Sequence, residues 1–103
     1  MQRGDVCELR PPRGVGHEQQ GRPLGVVVQA DALLSVVLLA PTSRSARPAT
    51  FRPEMVIEGE TTRILVEQLG AVDVNRLGDY VGHASPEEVW GIDESLATVL
   101  GLH

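Results

Sequence analysis

The stretch His17-Glu18-Gln19-Gln20-Gly21-Arg22-Pro23 sets an imidazole, a carboxylate and a guanidinium close together, just ahead of a run of valines. These are the parts of half a phosphodiester-cleaving site, which needs proton-transfer groups and a fixed cation for the charge that builds on phosphorus. An arginine suits the cation role because its planar fork holds two oxygens and stays charged at any working pH. A second polar pair, Thr42-Ser43, follows the apolar run that ends at Pro41. Taken singly, each residue has an ordinary reading. Glu18 and Arg22 make an exposed ion pair worth ~0–1 kcal/mol. Thr42 and Ser43 are turn formers. His17 is a loop hydrogen-bonding residue, although its pKa class suits proton transfer.

The bulk properties narrow the field. The chain has 103 residues and a net charge of −5, which fits a single domain with a small core. Its charge is uneven: residues 1–53 hold seven arginines against four acids, and residues 54–103 two against ten. There is no lysine. A basic half facing an acidic half lets a net-acidic protein hold an anionic polymer in one groove; the arginine bias also follows from genome composition. No apolar run approaches the ~18 residues of a membrane span, and no basic start with an apolar middle marks a signal peptide. Cys7 is the only cysteine, so no internal disulfide forms, and a cytoplasmic location is expected. His17, His83 and His103 stand apart from one another and from Cys7. No metal site is expected, and no glycine-rich phosphate loop calls for a nucleotide cofactor.

The elements that must position these residues are mostly strands. Gly4–Leu9 alternates and predicts a first strand; Pro23–Gln29 and Ser35–Pro41, apolar on both faces, predict central strands. Arg10–Gly21 and Thr42–Pro53 read as long polar loops, the second carrying three of the nine arginines. Gly59-Glu60 predicts a tight hairpin between Glu54–Glu58 and Thr61–Gln68, followed by a helical turn at Val74–Gly78 and a strand at Asp79–Ala84. Ser85-Pro86-Glu87-Glu88 has the capping-box pattern of a helix start. Val89, Ile92, Leu96, Val99 and Leu100 then share one face, and Gly101 ends the helix. The expected architecture is mainly β with a C-terminal helix, its core completed by Phe51, Tyr80 and Trp90.

The segments "RGDVCEL", "GHEQQGRP", "LLAPTS", "LVEQLGAVDVNRLG" and "SPEEVWGIDESLATVLGL", in this order and spacing, resemble the MazF/PemK family of type II toxin–antitoxin toxins. Those toxins are ribosome-independent endoribonucleases that cut mRNA. The resemblance covers nearly the whole chain and implies one toxin domain over 1–103, an SH3-like small barrel of the MazF/CcdB type. It implies a homodimer, a cognate antitoxin, and metal-independent cleavage of single-stranded RNA by the 2′-OH, giving a 2′,3′-cyclic phosphate and a 5′-OH. By the same resemblance Arg22, Thr42 and Glu18 are catalytic. His17, Ser43, Arg44, Arg47, Glu67 and Gln68 are RNA-binding. PemK-like relatives place an aspartate base before the glutamine, which makes Glu67 a second base candidate; its ordinary reading is a solvated strand-end carboxylate.

The chain also departs from the family pattern. Val6 and Cys7 stand where an aromatic is usual, Gly70 where a basic residue is usual, and Ala71 where a hydroxyl is frequent; one residue fewer precedes Arg22-Pro23. Two other classes stay open on this sequence: a non-enzymatic, gyrase-binding toxin like CcdB, and a decayed toxin serving as an interaction module. Strands apolar on both faces need cover on both sides, and a second copy supplying it is the expected solution. Light scattering at micromolar concentration should therefore give a dimer mass; a clean monomer mass would overturn that expectation.

Overall fold

The computed structural model describes residues 1–10, 23–30 and 35–102. His17, Glu18 and Arg22 lie outside them, as does His103. Seven strands make one antiparallel sheet: β1 (Asp5–Leu9), β2 (Leu24–Ala30), β3 (Val36–Ser43), β4 (Glu54–Ile57), β5 (Glu60–Ile64), β6 (Gly70–Asp73) and β7 (Leu77–His83). The order across the sheet is β4-β5-β3-β2-β1-β7, with β6 also paired to β3. The sheet curls into a half-barrel, and helix α1 (Pro86–Leu100) closes it.

β3 is the hinge of this arrangement. One of its edges pairs with β2 through Gly25↔Pro41, Val26↔Ala40 and Val27↔Leu39. The other edge pairs first with β6, up to Leu39↔Gly70, and then with β5, from Thr42↔Ile64. Only Ala40 and Pro41 separate those two ladders on β3, whereas 65–69 separate them on the opposing chain. Proline explains the gap. Its carbonyl faces this edge and accepts from the Leu65 N–H at 2.8 Å, but it has no N–H to return. The opposing chain leaves the ladder and forms a 3-10 turn at Val66–Gln68. Thr61–Gln68 is therefore not one strand, and the short Gly-Ala-Val-Asp segment that follows forms β6, a strand its sequence does not announce.

Strand periodicity sorts the core into two sides. Val6, Val26, Val28 and Ala40 join Met55, Ile57, Ile64, Val66, Ile92 and Leu96 under the helix. Cys7, Val27, Val37 and Leu39 are buried as well, on the opposite face by alternation. Both faces of the central strands are thus covered within one chain, so the need for cover gives no reason for a dimer. The aromatics are another correction: Tyr80 is 62% and Trp90 67% exposed. Tyr80 lies on the edge strand β7. Trp90 sits ~200° around α1 from the buried Ile92. The core is instead built of aliphatic, mostly β-branched side chains.

Local signals set the remaining joints. Glu58 and Gly59 take positive φ values of 52° and 81°, and Ile57 pairs with Glu60. This is a two-residue hairpin turn one position earlier than the sequence implied. Ser85 Oγ accepts from the Glu88 N–H at 3.1 Å, and Glu88 Oε1 accepts from the Ser85 N–H at 2.9 Å. Glu88 Oε2 also takes the Val56 N–H at 2.8 Å, fastening the helix start to the β4 edge. Gly101 caps the far end at φ 69°. Val89, Ile92 and Leu96 face the core as expected, while Val99 and Leu100 are exposed.

A side chain at Gly25 would collide with Leu39 Cδ2 and lie 2.8 Å from its Cγ. Leu39 is buried and has no open space to swing into. Gly25→Ala should cost about 1–3 kcal/mol through overpacking, measured as a lower urea midpoint with an unchanged slope.

Candidate functional site

Four chain ends meet at one end of the sheet. β1 finishes at Leu9, whose N–H donates to Pro23 O at 2.9 Å, and β7 begins opposite it at Leu77. β2 begins beside Pro23, and β3 finishes at Thr42-Ser43. The Thr42 hydroxyl donates to Leu24 O at 3.0 Å. Thr42 therefore lies against the residue that follows Arg22-Pro23 in the chain. A threonine has one hydroxyl proton, and here it is committed to that carbonyl. Contact with a phosphate oxygen would redirect it, leaving Leu24 O to be satisfied by solvent or substrate. Thr42 and Ser43 belong to β3 itself rather than to the following loop, so rigid sheet carries them.

The loop after β3 carries the other candidates. Ser43 Oγ lies 3.4 Å from Ser45 Oγ and accepts from the Ser45 N–H at 3.2 Å, a local turn bond. Arg44 is exposed and paired with Glu60 across the β5 start. Arg47 is exposed, and among the described residues no carboxylate is paired with it. Gln68 is exposed on the 3-10 turn. Gly70 and Ala71 are exposed on β6, and the position at Gly70 is open, with nothing within 4 Å of an added Cβ. Of the nine site residues expected from sequence, six are thus on the described chain; Arg22, Glu18 and His17 fall in the stretch 11–22 outside it.

Glu67 departs most from its ordinary reading. It is not a solvated strand-end carboxylate. Its Oε2 accepts from Arg52 Nε at 2.8 Å and from Arg52 Nη2 at 2.6 Å. Its Oε1 is buried and without a hydrogen-bond partner. The third guanidinium nitrogen, Arg52 Nη1, donates to Arg47 O at 3.1 Å. Sequence reading did not single out Arg52. Its partner is fifteen positions away, beyond any helical or hairpin spacing, so no local pattern announces the pair.

Among the described residues, no three His, Cys, Asp or Glu side chains group to hold a metal. No helix there is long and apolar enough to cross a membrane.

The family of PemK-like, MazF-like toxins of type II toxin-antitoxin systems matches residues 2–100, and the chain belongs to that family. A Mycobacterium tuberculosis protein named "Putative toxin" is 39% identical over 89 residues, covering 84% of each chain. An endoribonuclease from a mycobacterial species, solved in complex with its cognate antitoxin, superposes with a TM-score of 0.80. It is 22% identical, over 98% of this chain and 95% of that one. MazF from Deinococcus radiodurans gives 0.77 at 19% identity, over 98% and 96%. The curled half-barrel with its C-terminal helix is the fold of these structures, as the sequence implied.

The Glu67 carboxyl is held below its ordinary value of 4.5. Hydrogen bonds from Arg52 lower it most; burial opposes them, and the residue's own N–H and the Arg52 charge add to the lowering. A folded-state pKa below the unfolded one contributes stability that is complete above the unfolded value and lost as pH falls through the folded one. Wild type should therefore lose stability more steeply than Glu67→Gln as pH falls below about 4.5, checked by urea midpoints in acid and at neutrality. Equal slopes would count against the pairing.

Proposed function

We propose that this chain is a toxin endoribonuclease that cuts single-stranded RNA without a metal ion, using the 2′-OH as nucleophile. The observation that carries the reading is the Thr42–Leu24 bond: it brings the "PTS" strand end against the residues that follow Arg22. Family membership supplies the reaction class. The chemistry needs a base for the 2′-OH proton, a cation for the phosphorane and an acid for the departing 5′-oxygen. Arg22 fills the cation role and Glu18 the proton-transfer role. Thr42 holds a non-bridging oxygen with the proton it now gives to Leu24 O. His17, Ser43, Arg47 and Gln68 contact the strand, whose bases are splayed and read at their edges. Arg44 joins them once the RNA backbone displaces Glu60. The products are a 2′,3′-cyclic phosphate and a 5′-OH, so the bond to the 5′-oxygen breaks as the bond from the 2′-oxygen forms.

The mycobacterial endoribonuclease was solved with its cognate antitoxin, and an antitoxin is the partner proposed here, seated over the same strand ends. The working unit is taken to be a homodimer, as the family resemblance implies. Thr42 and Ser43 lie on the end of β3, a placement that preorganises their contacts to a flexible strand.

The test is cleavage of a long single-stranded RNA by purified protein in EDTA, with 5′ ends mapped, beside Arg22→Ala and Thr42→Val. Cuts recurring at one short sequence, lost in Arg22→Ala and reduced about 10²–10³-fold in Thr42→Val, are expected. No cuts by wild type would overturn the reading and favour a non-enzymatic toxin of the same fold.

A further inference from the structure

The 3-10 turn and the arginine loop are separate pieces of chain joined by the Arg52–Glu67 pair. We infer that Arg52 and Glu67 are positioning residues: their ion pair locks the loop at Arg47 to the turn that presents Gln68, fixing the two RNA-contact elements relative to each other. The RNA part of this inference rests on the proposed endoribonuclease activity; the lock itself does not.

Three observations support it. First, the pair is a relay. Glu67 Oε2 holds Nε and Nη2 of Arg52, and Nη1 of the same guanidinium holds Arg47 O. One carboxylate thereby fixes the backbone at Arg47, whose own side chain stays exposed. Secondly, the flanking chain is also tied down. The Arg52 N–H donates to Ala49 O at 3.0 Å, and Pro53 O accepts from the Ile64 N–H at 2.9 Å. Ser95 Oγ on the helix donates to Thr50 O at 3.4 Å. The loop is thus held from both sides, and Arg52 is the link that joins it to the 3-10 turn. Thirdly, neither oxygen of Glu67 is open to a substrate hydroxyl. Oε2 is occupied by two N–H donors and Oε1 is buried. A general base needs an accepting atom within reach of the proton it removes, and Glu67 offers none. Its service is structural geometry, and the proton-transfer role stays with Glu18.

A fork donating twice to one oxygen and once to a carbonyl is specific to arginine; a lysine ammonium has the charge but not the planar spacing. The pair is therefore directional, and reversing its members restores the charge contact without the Arg47 carbonyl bond.

Two readouts test the inference. Amide hydrogen exchange over 44–52, without RNA, is compared in wild type, Glu67→Gln and the double variant Arg52→Glu/Glu67→Arg. Exchange should rise about tenfold or more in Glu67→Gln and fall part of the way back in the double variant. Unchanged exchange in Glu67→Gln would overturn the lock. Cleavage kinetics across pH form the second readout. Glu67→Gln should raise KM about tenfold, change kcat less than about threefold and leave the acid limb of the pH profile in place. Loss of that limb together with a collapse of kcat would make Glu67 a base and overturn the inference. Should wild type cut no RNA at all, the enzymatic reading fails and takes the positioning of RNA contacts with it, while exchange still decides the lock.

Discussion

Pro41 is the constraint on which the rest of this structure depends. It sits inside the strand at the centre of the sheet, paired to Gly25 on one side and carrying no N–H toward the other. A regular neighbour cannot run past it. The opposing chain splits into β5 and β6 around a 3-10 turn, with Leu65 giving its N–H to the Pro41 carbonyl. That detour places Val66 in the core and takes Glu67 and Gln68 out of the ladder.

Folding brings part of the uneven charge along the chain together. Arg3, Arg44 and Arg52, from the arginine-rich half, pair with Asp93, Glu60 and Glu67 from the acidic half. The outermost of these pairs is exposed and adds little to stability; its value lies in keeping cations at the strand ends without letting them repel one another. An anionic strand entering there competes with carboxylates for the same forks. On the proposed function, affinity for RNA and its dependence on salt are then set by exchange of one anion for another as well as by free charge.

Stability and site meet along β3. The aliphatic core under α1 includes Ala40, two positions before Thr42, whereas the capping box ties Glu88 on the helix to Val56 on β4. Sheet ends carry the candidate chemistry, and the helix and inner faces carry the burial.

What the sequence alone determined is what short-range physics governs. The helix from Ser85 to Gly101 was legible because its caps lie within one turn of the residues they satisfy. The central strands were legible because a valine run too short for a helix buries well only in a sheet. The resemblance carried by "GHEQQGRP" and "LLAPTS" reached the family. Tertiary structure alone decided the break at Pro41, since a proline after apolar residues reads equally as a strand end. It alone made Glu67 an anchor for Arg52, and set Tyr80 and Trp90 outside the core. In each case the deciding partner is far along the chain, or the deciding fact is which face is already covered. Periodicity holds neither kind of information, because it records which residues share a face and not what that face meets.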